Sequence, residues 1–223
     1  ESSIFCVMVQ KEPKPPKKPR GRPRAYDPEQ ALARVMDTFW RAGYAGASLD
    51  QLSAATGMNR PSLYGAFGDK HALYLTAMDR YITGGQQALE KALRHDLPLY
   101  EALLGLYEGA LSLYLPAGKP ARGCFLVATA GTEAVADAEV RSRLGAAMRG
   151  IDHAFEARLR HALQQHELDP GADPAVLARV ATGVLHTLAV RARAGDTLAS
   201  LRATAKLAVA LICAGKPSRS KRR

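Results

Sequence analysis

The chain has 223 residues, 47% of them hydrophobic and 23% charged, with a formal net charge of +10, a composition that fits a globular protein with a sizeable core and excludes a fibrous or wholly disordered chain. No run approaches 18 uninterrupted apolar residues, so no membrane span is expected; the apolar SIFCVMV near the start is too short for one and lacks the basic flank and small-residue cleavage site of a signal peptide. Cys6, Cys124 and Cys213 are odd in number and far apart, with no Cys-x-x-Cys spacing, which excludes a disulfide framework or a cysteine zinc site and fits a reducing, cytoplasmic setting.

The positive charge is concentrated at the ends. Residues 1–24 carry 7 Lys/Arg against 2 acids, residues 214–223 carry 5 Lys/Arg and no acid, and residues 25–213 balance 19 against 19. Met8 precedes a stretch typical of a cytosolic start, and residues 1–7 read either as an expression remnant or as a misplaced start. Lys11 to Arg24, KEPKPPKKPRGRPR, holds five prolines and cannot be helical. Like-charged, Pro-rich ends of this kind either grip polyanions or simply solubilise. RGRPR, with Arg20, Arg22 and Arg24, resembles an AT-hook, an extended arm that lies in the narrow, electronegative minor groove of A·T-rich DNA. Neutralising about five phosphates gives a log–log salt slope of roughly −4 to −5 from this arm alone.

The first helix is expected over PEQALARVMDTFWRAGY. Asp27 is its N-cap, Pro28 sits in its first turn, Gln30 has capping-box spacing, Leu32, Val35, Met36 and Phe39 recur at helical spacing, and Gly43 ends it. A short second helix follows, capped by Ser48 and stopped by Gly57. The third runs from about Arg60 to Ala66 and breaks at Gly68. Asp69 caps a fourth through KHALYLTAMDRYITGGQQALEKAL. Beyond it, LYEALLGLYEGALSLYL is amphipathic, GKPARG is a loop, and CFLVATAGTEAVA reads as a short buried helix. AEVRSRLGAAMRGIDHAFEARLRHALQQHEL is a long helix closed by DPGADP, and two Ala-rich helices complete the chain. No strand-like alternation and no internal repeat occur. The reading is all-α with nine or ten helices, divided into a basic arm (1–24), a small helical domain (25–72), a larger helical domain (73–213) and a basic tail (214–223).

Three short capped helices, the second and third joined by a glycine turn, describe a helix-turn-helix, whose third helix offers its N-terminal residues to base edges in the major groove. Leu63 and Phe67, four apart, turn back to a core with Leu32, Phe39 and Leu52, leaving Arg60, Pro61, Ser62 and Tyr64 outside. Arg60 can pair bidentately with guanine, Pro61 can touch a thymine methyl, and Ser62 can donate to a base or phosphate. Tyr64, Lys70 and Ser48 suit phosphates, the last two from helix starts. The helix-turn-helix itself is not basic: residues 25–70 carry Arg34, Arg41, Arg60 and Lys70 against five acids.

The segment GYAGASLDQLSAATGMNRPSLYGAFGDKHALY resembles the DNA-binding domain of the tetracycline-repressor (TetR) family of bacterial regulators, over about residues 28–80. The likeness rests on Tyr44, the Thr56–Gly57 turn, the Leu63–Tyr64 pair, Phe67 and Lys70. It implies phosphate contacts by Tyr64 and Lys70 and base reading by Asn59, Arg60, Pro61 and Ser62. Gly65 and Ala66 replace bulkier residues common in the family, which shifts the expected base reading toward Arg60. The resemblance further implies a two-domain, all-α homodimer that pairs through its last two helices, binds a palindromic operator in double-stranded DNA and is released by a small-molecule effector. No cofactor is implied.

Effector contacts are expected among polar residues of the C-terminal half: Tyr107, Tyr114, Thr129, Thr132, His153 and His186. Cys124 follows a Pro/Gly loop beside Arg122; it reads either as a small buried hydrophobe or as a thiol activated by helix-start amides. The six histidines form no i, i+4 pair, which argues against a metal sensor. The leading function is a ligand-responsive repressor, and the alternative is an architectural DNA binder acting through the arm. An enzyme is disfavoured, since no Gly-rich phosphate loop, Gly-x-Ser-x-Gly or His-Glu-x-x-His occurs.

Overall fold

The computed structural model describes residues 27–214; the basic arm, including Arg20, Arg22 and Arg24, and nearly all of the C-terminal tail lie outside them. Among the described residues there are nine α-helices, one π-helical segment and no strand.

Helix α1 (Pro28–Gly46) starts where Asp27 accepts hydrogen bonds from the amides of Glu29 and Gln30. Its regular part ends at Gly43, whose φ of 73° is left-handed. Helix α2 (Leu49–Thr56) opens with a complete capping box between Ser48 and Gln51 and closes on left-handed Gly57. Helix α3 (Arg60–Phe67) is capped by Asn59, and α4 (Lys70–Ala92) by Asp69. Val35, Phe39, Trp40, Leu52 and Leu63 are buried in one cluster, with Phe67 packed on it. That core fixes which side of the two-turn α3 faces outward.

Helix α4 continues out of this domain to α5 (Leu99–Tyr114). The segment read as one short helix differs. Leu126–Ala130 is π-helical, followed by a single α-turn, α6 (Gly131–Glu133). Its wider winding buries Leu126, Thr129 and Ala130, but Val135 beyond it is 82% exposed. Thr129 Oγ1 donates to the Phe125 carbonyl and lies 2.9 Å from the Tyr74 hydroxyl, which fastens the π-segment to α4. Helices α7 (Ala138–Gln164), α8 (Pro174–Arg193) and α9 (Leu198–Ala214) complete the fold. Among the described residues α8 alone is by length and composition apolar enough to cross a membrane; here one side of it packs on α5, α7 and α9, and Val176, Val180 and Val190 stay in solvent.

The two halves share one aromatic core. Phe125 lies 5.7 Å from Trp40 of α1 and 6.0 and 5.4 Å from Tyr74 and Tyr81 of α4, measured between ring centroids. Burial is the main cause that pushes the Tyr74 phenol up to about 12.

Candidate functional site

The outward face of α3 carries the residues singled out for DNA. Asn59, Arg60, Pro61 and Ser62 are exposed, and Tyr64 is 40% exposed while its neighbour Leu63 is 2%. Pro61 sits in the first turn, where no helical amide bond is lost. Asn59 Oδ1 is taken by the Ser62 amide at 2.9 Å, so only its NH₂ group faces outward chemistry. Ser48 is exposed at the start of α2, its Oγ accepting from the Gln51 amide. Lys70 opens α4 with its ammonium 4.7 Å from the Tyr44 ring centroid, a cation–π contact that steadies the charge.

One partner escaped the sequence reading. Arg60 Nε and Nη2 both donate to Asp50 Oδ1, at 3.0 and 2.5 Å. Asp50 lies in the first turn of α2, so this contact sets the starts of α2 and α3 side by side and orients the arginine fork. The only sequence sign was an acid in the α2 first turn.

A cavity of about 570 Å³ opens in the C-terminal half, with walls from α1, α4, α5, the 115–125 loop, α7 and α8. Of the sequence candidates, Tyr114, Cys124 and His186 line it. The others do not. Tyr107 is fully buried and donates to the Ala181 carbonyl at 2.9 Å, Thr129 is spent on the π-segment, and His153 and Thr132 are exposed outside the cavity. The wall also contains Met36 and Trp40 of α1, two residues of the DNA-binding half that no polar-residue search would pick. Trp40 is 1% exposed. Its Nε1 donates to the Arg122 carbonyl at 3.0 Å, and the Arg122 guanidinium lies 4.1 Å from its ring centroid.

Cys124 is buried, and its Sγ accepts from the Tyr81 hydroxyl at 3.3 Å. Burial above all pushes both cavity phenols, Tyr81 and Tyr114, upward, which keeps them protonated at neutral pH. Cys213 lies outside the cavity, and burial chiefly raises its thiol to about 11. Among the described residues no group of three or more His, Cys, Asp or Glu side chains is arranged to hold a metal.

Apolar side chains left in solvent concentrate on the last two long helices. Val176, Val180 and Val190 of α8 are 49–54% exposed, and Leu207 and Leu211 of α9 are 63% and 67% exposed. Val176 and Val180 are four apart, as are Leu207 and Leu211, and Val190 lies fourteen beyond Val176, about four helical turns, so each set falls on one face as a helix-packing stripe requires.

Residues 32–77 match the family described as bacterial regulatory proteins, tetR family, and residues 101–207 match the tetracyclin repressor-like C-terminal domain. The transcriptional repressor ComR of Escherichia coli K12 is 28% identical over 185 residues, 83% of this chain and 88% of that protein. YezE, a transcriptional regulator of Bacillus subtilis 168, is 30% identical over 161 residues, 71% of this chain and 82% of its own. A cysteine-substituted form of the TetR-family regulator CifR, solved with a 26-base-pair operator duplex, superposes with a TM-score of 0.73 at 32% identity, covering 84% of this chain and 98% of that one. A short helix braced from behind with its polar start in solvent, a cavity behind it and a bare stripe on the last two helices all fall within segments that these relatives share, and the chain belongs to the tetR family of bacterial DNA-binding transcriptional regulators.

Proposed function

We propose that the protein is a repressor that holds a palindromic operator as a homodimer and lets go when a small molecule fills the 570 Å³ cavity. In this reading Arg60, Pro61, Ser62 and the Asn59 amide meet base edges in the major groove, and Ser48, Tyr64 and Lys70 meet phosphates. Arg20, Arg22 and Arg24 add minor-groove and backbone contacts from outside the described residues. The dimer forms through the α8 and α9 stripes, which sets two α3 helices on one side of a duplex, about 34 Å apart for successive major grooves. The protein works on the chromosome in the cytoplasm and has no catalytic role.

The observation that carries the reading is the division of α3: Leu63 is buried while Tyr64 and the whole first turn stay in solvent. The names of ComR and BdcR, both called repressors, favour repression over activation. The architectural alternative lacks support of this kind, since it needs only the arm and leaves the α3 face without a task.

The test is selection of bound duplexes from a random pool, followed by footprinting. The expected result is a short inverted repeat, protected on one face of the DNA, whose recognition is lost in Arg60→Ala. Equal binding to all sequences, unchanged by that substitution, would overturn the proposal.

A further inference from the structure

The cavity reveals its occupant's chemistry through what its walls lack. The cations at its edge are already engaged: Arg80 is paired with Glu29 of α1, and Arg122 stacks on Trp40 and donates from Nε to the Leu113 carbonyl at 3.1 Å. The rest of the wall is mainly apolar, from Met36 and Leu89 to Leu106 and Ile151, with the neutral Tyr114 phenol and the buried Cys124 side chain among them. An anion entering this space finds no free charge to offset its lost hydration, a cost of several kcal/mol for an ion in a dry site. One polar atom points to a specific contact. His186 lines the cavity, and its buried Nε2 has no hydrogen-bond partner among the described residues; such an orphan is costly unless something pairs with it. Burial holds the His186 ring below the ordinary imidazole pKa, against the opposing pull of Asp152, so the ring is neutral at pH 7.

The way in is also visible. Gly84 and Gly85 on α4, and Gly105 and Gly109 on α5, line the cavity and are exposed. A Cβ built on any of them meets nothing within 4 Å. Each weakens its helix relative to alanine, and none is required for close helix packing. The four glycines leave the exposed side of the cavity's α4 and α5 walls bare of side chains.

We infer that the effector is an uncharged, largely apolar small molecule carrying one hydrogen-bonding group, admitted past Gly84, Gly85, Gly105 and Gly109 and anchored by that group on His186 Nε2. This rests on the proposed function in taking the cavity as the effector site. Its volume lies within the usual range for small-molecule pockets, about 300–1,000 Å³.

The experiment uses three probes of one skeleton, 1-naphthol, naphthalene and 1-naphthoate, titrated by calorimetry into the full-length protein, wild type, His186→Leu and Gly109→Leu. Wild type is expected to bind naphthol about 3- to 10-fold more tightly than naphthalene, the worth of one neutral hydrogen bond, and naphthoate at least about tenfold more weakly than naphthol. His186→Leu is expected to erase the preference for naphthol over naphthalene while still binding both. Gly109→Leu, which projects a side chain into the opening without opposing the helix, is expected to weaken both at least about tenfold with thermal stability unchanged or raised. Preferred binding of naphthoate, a naphthol preference that survives His186→Leu, full binding in Gly109→Leu, or no binding of any probe would overturn the inference. Operator binding by the same preparations, measured separately, keeps the two proposals apart: its loss in wild type counts against the repressor, whereas intact operator binding with failed probe binding counts only against this ligand class.

Discussion

Replacing Trp40 with phenylalanine tests whether the cavity wall and the DNA-binding half are physically one unit. Trp40 is buried, its ring edge-on to Tyr81 and Phe125 at 5.1 and 5.7 Å between centroids. Phenylalanine keeps an aromatic ring there but removes the indole N–H. The Arg122 carbonyl is then left with only Arg193 Nη1 at 3.5 Å, a geometry too long to replace the lost bond, and losing that bond from a part-buried carbonyl costs about 0.5–1.5 kcal/mol. The lost pyrrole portion leaves a void of roughly 40 Å³, about 1 kcal/mol at the usual cavity coefficient. The smaller ring face also holds the Arg122 guanidinium less well, by about 0.5 kcal/mol. The expected destabilisation is therefore about 2–3 kcal/mol, read from urea denaturation at fixed protomer concentration because a dimer's apparent stability depends on it. A double-mutant cycle with Arg122→Ala isolates the stacking, with an expected coupling of about 0.5–1.5 kcal/mol. A Trp40→Phe variant within 0.5 kcal/mol of wild type by this measure, with strictly additive effects in the cycle, would refute the claim that this contact joins the halves.

Arg60→Ala should lower operator affinity by about 5- to 100-fold, with relaxed specificity confined to one base pair of each half-site in a mutated-operator panel. Asp50→Asn should do the reverse of a simple charge gain: removing a carboxylate beside the phosphates raises affinity for random DNA, while the released Arg60 fork discriminates guanine less, so the ratio of operator to random binding falls in a mobility-shift assay. Lys70→Ala should weaken all sequences alike and flatten the log–log salt slope by about 1, and deletion of residues 1–24 should flatten it by about 4–5, each read from fluorescence anisotropy across a salt series. Gly123→Ala should be among the most damaging single changes. Gly123 has a φ of +62°, and an added Cβ would sit 2.5 Å from the Ala189 carbonyl oxygen; the strain alone is about 1–3 kcal/mol, and the melting temperature should drop by several degrees.

The helix-turn-helix was legible because its signals are local. Asp27, Ser48 and Asp69 cap helices within three residues, Gly57 takes the left-handed turn, and the offset between Leu63 and Tyr64 is one of helical phase. Arg60's partner was not legible: the pair spans ten residues and a turn, and only the packed angle of α2 on α3 brings them together. The cavity was harder still. Choosing polar residues as candidate contacts favoured Tyr107 and Thr129, whose hydroxyls the fold had already satisfied internally. A cavity is made by residues that fail to fill space, and its trace in the sequence is four glycines within α4 and α5, Gly84, Gly85, Gly105 and Gly109.

This placement constrains how release from DNA can work. A ligand shifts a conformational equilibrium only by the difference in its affinity for the two states. Met36 and Trp40, four apart on α1, form part of the cavity wall, while Val35 and Phe39 on the same helix belong to the core that holds Leu63 and so the pose of α3. A ligand that touches Met36 and Trp40 therefore has an energetic stake in the position of α1, with no intervening relay needed. Any shift of α1 that improves those contacts must either drag the α3 brace with it or break the Trp40–Arg122 bond that ties α1 to the loop. The first course moves the recognition helix, and the second only leaves the part-buried Arg122 carbonyl without its indole donor, so the first is the route by which occupancy of the cavity is felt at the DNA.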